Sequence, residues 1–149
     1  MIALYFATNE HNDKDGCIWV INPRLLNSTI GHDNYIYPMD SNDVRSYLKS
    51  VFHRKGDPID RDVIACWAEE SDLRILLQQS AFTIHNSDTP LEILVDNLKI
   101  SGIMEKIIIP STKKKYLLQQ VEICGFSLID LFPDIEHLAQ QLKNDISYI

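Results

Sequence analysis

The residues best suited to chemistry in this sequence are polar side chains between positions 74 and 85. The adjacent amides of Gln78 and Gln79 can both donate and accept hydrogen bonds to a ligand. Arg74 precedes Gln78 by four residues, so on a helix the two share one face, and its guanidinium could clamp a phosphate or a carboxylate bidentately. Two alternatives stay open. In the first, the glutamine amides bind water or nearby backbone groups instead of a ligand. In the second, Arg74 forms an ion pair with an acidic residue among positions 69–72.

His85 is the remaining candidate, and it ends a predicted strand. The pKa range of histidine suits general acid–base catalysis. The alternative is a structural histidine that is held by hydrogen bonds. The other histidines are scattered along the chain, and none is paired with cysteine or carboxylate at metal-ligand spacing, so we predict no metal site.

The amino-acid composition of the chain limits the classes of partner that it is expected to bind. The chain has 149 residues, a formal net charge of −7 and a pI near 5.1. This balance argues against nucleic acid as a partner, and we expect Lys113–Lys115 to be a solvated helix start. The three cysteines, Cys17, Cys66 and Cys124, lie far apart in apolar runs, which predicts buried thiols rather than zinc ligands or disulfides. Such usage indicates a reducing cytoplasm, and no stretch is apolar and long enough to span a membrane.

Helices are indicated by apolar periodicity and capping residues. Ser41 is a good N-cap for a helix that runs to Phe52 with an apolar stripe at helical spacing. Gly125 is a suitable residue to end a helix that begins at Ser111. The sequence also predicts helices over 71–79, 91–98 and 133–144 and irregular structure over 25–37. In an intact domain, the apolar block over 2–7 would be a buried helix or helix end.

Strands are indicated by short β-branched and aromatic runs over 17–21, 63–67, 82–85 and 106–109. Pro23 ends the first of them, because proline lacks the amide hydrogen that a sheet ladder needs, and we expect the strand over 106–109 to be buried. We expect the first, third and fourth of these to lie in one sheet, with Trp19 and Phe82 in the core. The elements show no regular β-α-β period. The predicted fold class is therefore α+β, with a small mixed or antiparallel sheet and packed helices.

One segment carries the most specific motif in the chain, Arg74-Ile-Leu-Leu-Gln-Gln-Ser-Ala-Phe-Thr-Ile-His-Asn-Ser-Asp-Thr-Pro-Leu-Glu92. It resembles the second half of the FRG domain, a family that typically has Arg-x-x-x-Gln-Gln-Gly-x-Phe-Thr here, often followed by His and Thr-Pro-Leu-Glu. Further blocks over 2–7, 15–23, 106–110 and 131–135 resemble the family in the same order. Ser80 stands where the family usually has a glycine, which would suit a positive φ or a close backbone approach.

The resemblance implies that residues 1–149 form the C-terminal portion of an FRG-like domain. No stretch matches the family's aromatic-Arg-Gly motif, so we expect a truncated chain without activity of its own. It would act as an interaction or remnant module whose partner is its missing N-terminal half or a second copy. The apolar residues Ile2, Leu4, Tyr5 and Phe6 would then be under-buried or covered by another chain.

An enzymatic alternative stays open. The layout of the FRG family is loosely similar to that of ADP-ribosyltransferase folds, which is a fold-level analogy. The chain would then be half of such an enzyme and would need its N-terminal half. Gln78 or Gln79 would take the late catalytic position, Arg74 would bind phosphate, and NAD would be the cofactor. The interaction module needs no cofactor.

Overall fold

The computed structural model describes residues 1–53, 63–69, 71–133, 136, 138–139 and 142–143. Seven helices and five strands are defined within them: α1 (Ile2–Asn9), β1 (Gly16–Ile21), α2 (Pro23–Thr29), β2 (Tyr37–Pro38), α3 (Asn42–His53), β3 (Val63–Trp67), α4 (Leu73–Leu77), β4 (Ala81–His85), α5 (Leu91–Leu98), β5 (Met104–Ile109), α6 (Ser111–Ile123) and α7 (Leu128–Leu131). The α+β class predicted from the sequence is confirmed. Half of the helix predicted over 133–144 lies outside the described residues, and residues 136, 138–139 and 142–143 are helical.

The strands form two sheets, and this corrects one prediction. β1 pairs with β5, whereas β4 belongs to a separate sheet with the order β2-β3-β4. The strands predicted over 17–21, 82–85 and 106–109 are therefore all present, but they do not share one sheet. The sequence could not distinguish these pairings because strand propensity does not specify a partner.

The chain divides into two compact units. The terminal unit contains the described residues within Met1–Ile18, Asp72–Gln78 and Lys106–Ile149. The middle unit contains those within Trp19–Ser71 and Gln79–Glu105. Each unit has buried apolar clusters of its own.

In the middle unit, β3 is the central strand and is covered on both faces. It pairs in parallel with β2 and antiparallel with β4. Because side chains alternate along a strand, Val63 and Ala65 pack with residues of α2 and α5 on one face. Ile64 and Cys66 pack with Tyr47 and other residues of α3 on the opposite face.

Two helices of the middle unit show how local sequence sets their ends. The hydroxyl of Ser41 accepts a hydrogen bond from the Val44 amide at 3.3 Å, as predicted for the cap of α3. The helix α2 was missed, because we interpreted Pro23 only as a strand stop. Proline also suits the first turn of a helix, where its missing N–H needs no partner, and the Asn22 side chain accepts from the Leu25 amide at 3.1 Å.

In the terminal unit, α1 packs along α6. Tyr5, Val121 and Leu131 form the buried cluster. The predicted under-burial of the first apolar block is wrong for Tyr5, since the ring lies in this cluster. Ile2 and Leu4 are half-buried, and Phe6 is exposed.

Burial departs from the sequence prediction at four further side chains. Trp19 and Phe82, expected in the core, are each 42% exposed. Trp19 lies in a two-stranded sheet, and Phe82 lies on an edge strand. Cys66 is buried as predicted, but Cys17 and Cys124 are exposed thiols. Apolar neighbours in sequence did not predict burial because a two-stranded sheet, an edge strand or a helix end leaves one side uncovered.

Candidate functional site

Arg74 and Gln78 lie in the terminal unit and contact the same segment. The Arg74 guanidinium carbon is 4.6 Å from the centroid of the Phe132 ring, a cation–π geometry. The Gln78 side-chain amide donates to the Leu131 carbonyl at 3.1 Å. Asp72 contacts the backbone of Arg74 and not its guanidinium. The Asp72 carboxylate accepts a hydrogen bond from the backbone N–H of Arg74 at 2.7 Å. The predicted alternative partner Glu70 lies outside the described residues.

Through these contacts, both side chains have a structural role. Gln78 follows the last residue of α4, and its amide bond connects this helix end to the end of α7. The carbonyl oxygen of the Gln78 amide can still accept a hydrogen bond. Arg74 covers an aromatic face instead of projecting alone into solvent.

Gln79 and His85 belong to the middle unit. Gln79 is exposed and has a φ of 48°, in the left-handed region that non-glycine residues rarely adopt. A positive φ, which we associated with the glycine that the family usually has at position 80, is therefore found one residue earlier in this chain. The His85 Nε2 atom lies 3.1 Å from the Thr83 hydroxyl, two residues away on β4. The four predicted site residues are thus divided equally between the two units.

An apolar groove in the terminal unit was not predicted. It has a volume of about 620 Å³ and is lined by Leu4 of α1, Ile18 of β1, residues 107–109 of β5, and Tyr116 of α6. We expected the strand over 106–109 to be buried. Only Ile109 is buried, whereas Ile107, Ile108 and Tyr116 are 50%, 51% and 61% exposed.

The first turn of α6 borders this groove and is held by polar contacts. Lys113 lines the groove. The Asp15 carboxylate accepts a hydrogen bond from the Ser111 amide at 2.8 Å, so an acidic group lies at the helix start, where the helix dipole favours it. Asp15 and Lys113 are both exposed, so this edge of the groove carries charges of both signs.

Lys114 overturns the prediction of a fully solvated lysine run. Its side chain is buried, and the Nζ atom donates to the Glu10 carbonyl at 2.7 Å and to the His11 carbonyl at 3.1 Å. The lysine therefore fastens α6 to the end of α1. A β-carbon at Gly16 would collide with the Ala7 carbonyl oxygen in the same region, which explains a glycine there.

A second missed residue, Asn27, organises the middle unit. Its fully buried side chain accepts from the Ala65 amide at 2.8 Å and donates to the Ala65 carbonyl at 2.9 Å. It also donates to the Tyr35 carbonyl at 2.7 Å. Because β2 is only two residues long, the asparagine amide takes the place of a neighbouring strand beside Ala65. The His32 ring also contacts β3, since its Nε2 atom lies 3.2 Å from the Val63 carbonyl oxygen.

The Cys66 thiol is not activated as a nucleophile. Burial raises the pKa of this thiol and keeps it neutral. Burial, and secondarily the charge of Glu122, raises the pKa of Tyr5. Among the residues that the structure describes, no group of three or more His, Cys, Asp or Glu side chains is arranged to hold a metal ion. No described helix is long and apolar enough to cross a membrane.

Comparison with known proteins adds no assignment. No family model, curated protein or solved structure matches the chain.

Proposed function

We propose that this chain is an FRG-like protein-interaction module and that its groove binds a second copy of the same chain. The observation that carries the proposal is the apolar groove beside β5, where Ile107 and Ile108 leave half of their side-chain surface in water. Contiguous exposed apolar surface of this kind typically marks an interface. Burial of such surface contributes roughly 25 cal/mol per Å² removed from water.

The charges beside the groove favour a symmetric pair. A two-fold interface brings the same patch of both copies together, so the patch must complement itself. Asp15 and Lys113 provide opposite charges at the first turn of α6. In a two-fold dimer, Asp15 of each copy can meet Lys113 of the other. Since both side chains are exposed, we expect these pairs to set orientation more than affinity.

The three cysteines form no disulfide with each other. This supports the further proposal that the chain works in a reducing, cytoplasmic environment.

Sedimentation velocity over a concentration series tests the interaction. We expect a monomer–dimer equilibrium with a dissociation constant on the order of 10–100 µM. Ile107→Thr should weaken dimerisation at least about tenfold, because it removes apolar area from the groove while retaining a β-branched side chain. The matched control is Ile93→Thr, which changes an isoleucine on α5 that is also 50% exposed and should leave the equilibrium unchanged.

A charge-swap experiment tests the identity of the partner. Asp15→Lys and Lys113→Asp each place like charges opposite each other in a two-fold pair, so each variant alone should stay monomeric at 100 µM. An equimolar mixture should dimerise, because both cross-copy pairs are again opposite in sign. Urea unfolding of each variant verifies that the fold survives. A monomeric wild type at 500 µM, or a mixture that stays monomeric, would contradict the proposed second copy.

A further inference from the structure

The middle unit contains a separate apolar cavity, which the proposed dimer does not use. It has a volume of about 230 Å³ and lies at one end of the β3–β4 ladder. Its residues from β3 and β4 belong to the last three cross-strand pairs, Trp67 with Ala81, Cys66 with Phe82, and Ala65 with Thr83. Ile21, Pro23 and Ile36 complete the wall.

The cavity combines a buried floor with an aromatic side chain that is still exposed to solvent. Ala65 is buried and Trp67 is 53% exposed. Because side chains alternate along a strand, both lie on the same face of β3, which the pairing of Ala65 with Thr83 extends to β4. An aromatic residue half-exposed beside a concave apolar surface can gain burial when a flat apolar molecule enters. The cavity therefore offers stacking and apolar contact.

Polar groups in the cavity are few and carry no charge. Among the residues that the structure describes, no Asp, Glu, Lys, Arg or His lines it. Burial keeps the Cys66 thiol protonated, since it raises the pKa of that group. The Thr83 hydroxyl contacts His85 Nε2 at 3.1 Å, and a hydroxyl has one donor and two acceptor positions. Two of these three positions therefore remain, and a ligand can use one of them.

The volume selects the size of the occupant. An engineered apolar cavity of about 150 Å³ holds one benzene molecule, so the present cavity accommodates one or two fused rings. It is too small for a helix or for several residues of a strand. We propose that it binds a small, uncharged, planar aromatic molecule with a single hydrogen-bonding group directed at Thr83.

Binding of 5-fluoroindole, followed by ¹⁹F NMR line width and chemical shift on the full chain, tests this site. We expect a dissociation constant below about 1 mM, which is within the range for a ligand of roughly ten non-hydrogen atoms. 5-Fluoroindole-2-carboxylate should not bind, because its charge would lose hydration without a partner in the cavity.

Cavity filling locates the site. Ala81→Leu adds volume at an exposed lining position and should weaken 5-fluoroindole binding at least tenfold. Ala3→Leu changes an exposed alanine of α1 outside the cavity and should leave binding unchanged. Thr83→Val removes the hydroxyl at nearly constant shape, and it should weaken 5-fluoroindole about three- to tenfold but leave 1-fluoronaphthalene unaffected.

Three results would overturn the proposal. The first is no binding of either fluorinated probe up to 5 mM to a folded wild-type chain. The second is binding that Ala81→Leu does not weaken, which would place the probe elsewhere. The third is binding of N-acetyltryptophan amide more tightly than of 5-fluoroindole, which would assign the cavity to an aromatic side chain of a partner protein.

Discussion

The strands β3 and β5 have similar sequences but opposite environments. Val63-Ile-Ala-Cys-Trp67 and Ile107-Ile-Ile109 are both short apolar runs. In β3, four consecutive residues are buried, whereas in β5 only Ile109 is. β3 has a strand on each side and helices on both faces, whereas β5 has one neighbour in a two-stranded sheet. The difference shows that an apolar run predicts a strand, while the number of covering layers determines whether the strand is core or surface.

The largest expected effect is the loss of the side-chain amide that completes the edge of β3. Asn27→Leu leaves the amide and carbonyl of Ala65 buried without their partners, and it should lower the free energy of unfolding by roughly 3–6 kcal/mol. Urea denaturation followed by circular dichroism measures this. Asn34→Leu, at an exposed asparagine in the following loop, is the control and should change stability by less than about 0.5 kcal/mol. Equal losses in the two variants would mean that Asn27 does not support β3.

Paired truncations compare the two strands directly. Ile64→Ala removes a fully buried side chain from β3 and should cost about 2–5 kcal/mol, because it leaves a cavity. Ile108→Ala in β5 should cost below about 1 kcal/mol in dilute monomer, since half of that side chain is already in water. Similar costs from urea titration would show that β5 is as well covered as β3.

The sequence predicted much of this arrangement. The cap at Ser41, the helix α6 and the positions of four strands follow from local chemistry, so nearest neighbours in sequence were sufficient. Asn27 and Lys114 were missed, because their partners at Ala65, Glu10 and His11 are distant in sequence. For the candidate site, the spacing of Arg74 and Gln78 predicted that the two side chains lie on the same face of a helix. That spacing could not predict that Gln78 contacts Leu131 and that Arg74 contacts Phe132.

A smaller effect is expected at the base of the groove. Lys114→Met keeps most of the apolar stem of the side chain but removes two hydrogen bonds to the end of α1. It should destabilise the terminal unit by about 1–3 kcal/mol. Lys115→Met, at the exposed neighbouring lysine, should be nearly neutral. Thermal unfolding of both variants checks the contrast, and a neutral Lys114→Met would show that the buried ammonium group adds nothing to α1 packing.

Amide hydrogen exchange at several protein concentrations tests most directly whether β5 is a binding surface. We expect the amides of residues 107–109 to exchange more slowly as the concentration rises from 5 to 500 µM, because a second copy covers the groove. The amides of β3 should exchange at a constant rate over the same series, since its covering layers belong to its own unit. Exchange at residues 107–109 that does not depend on concentration would mean that no second copy covers β5.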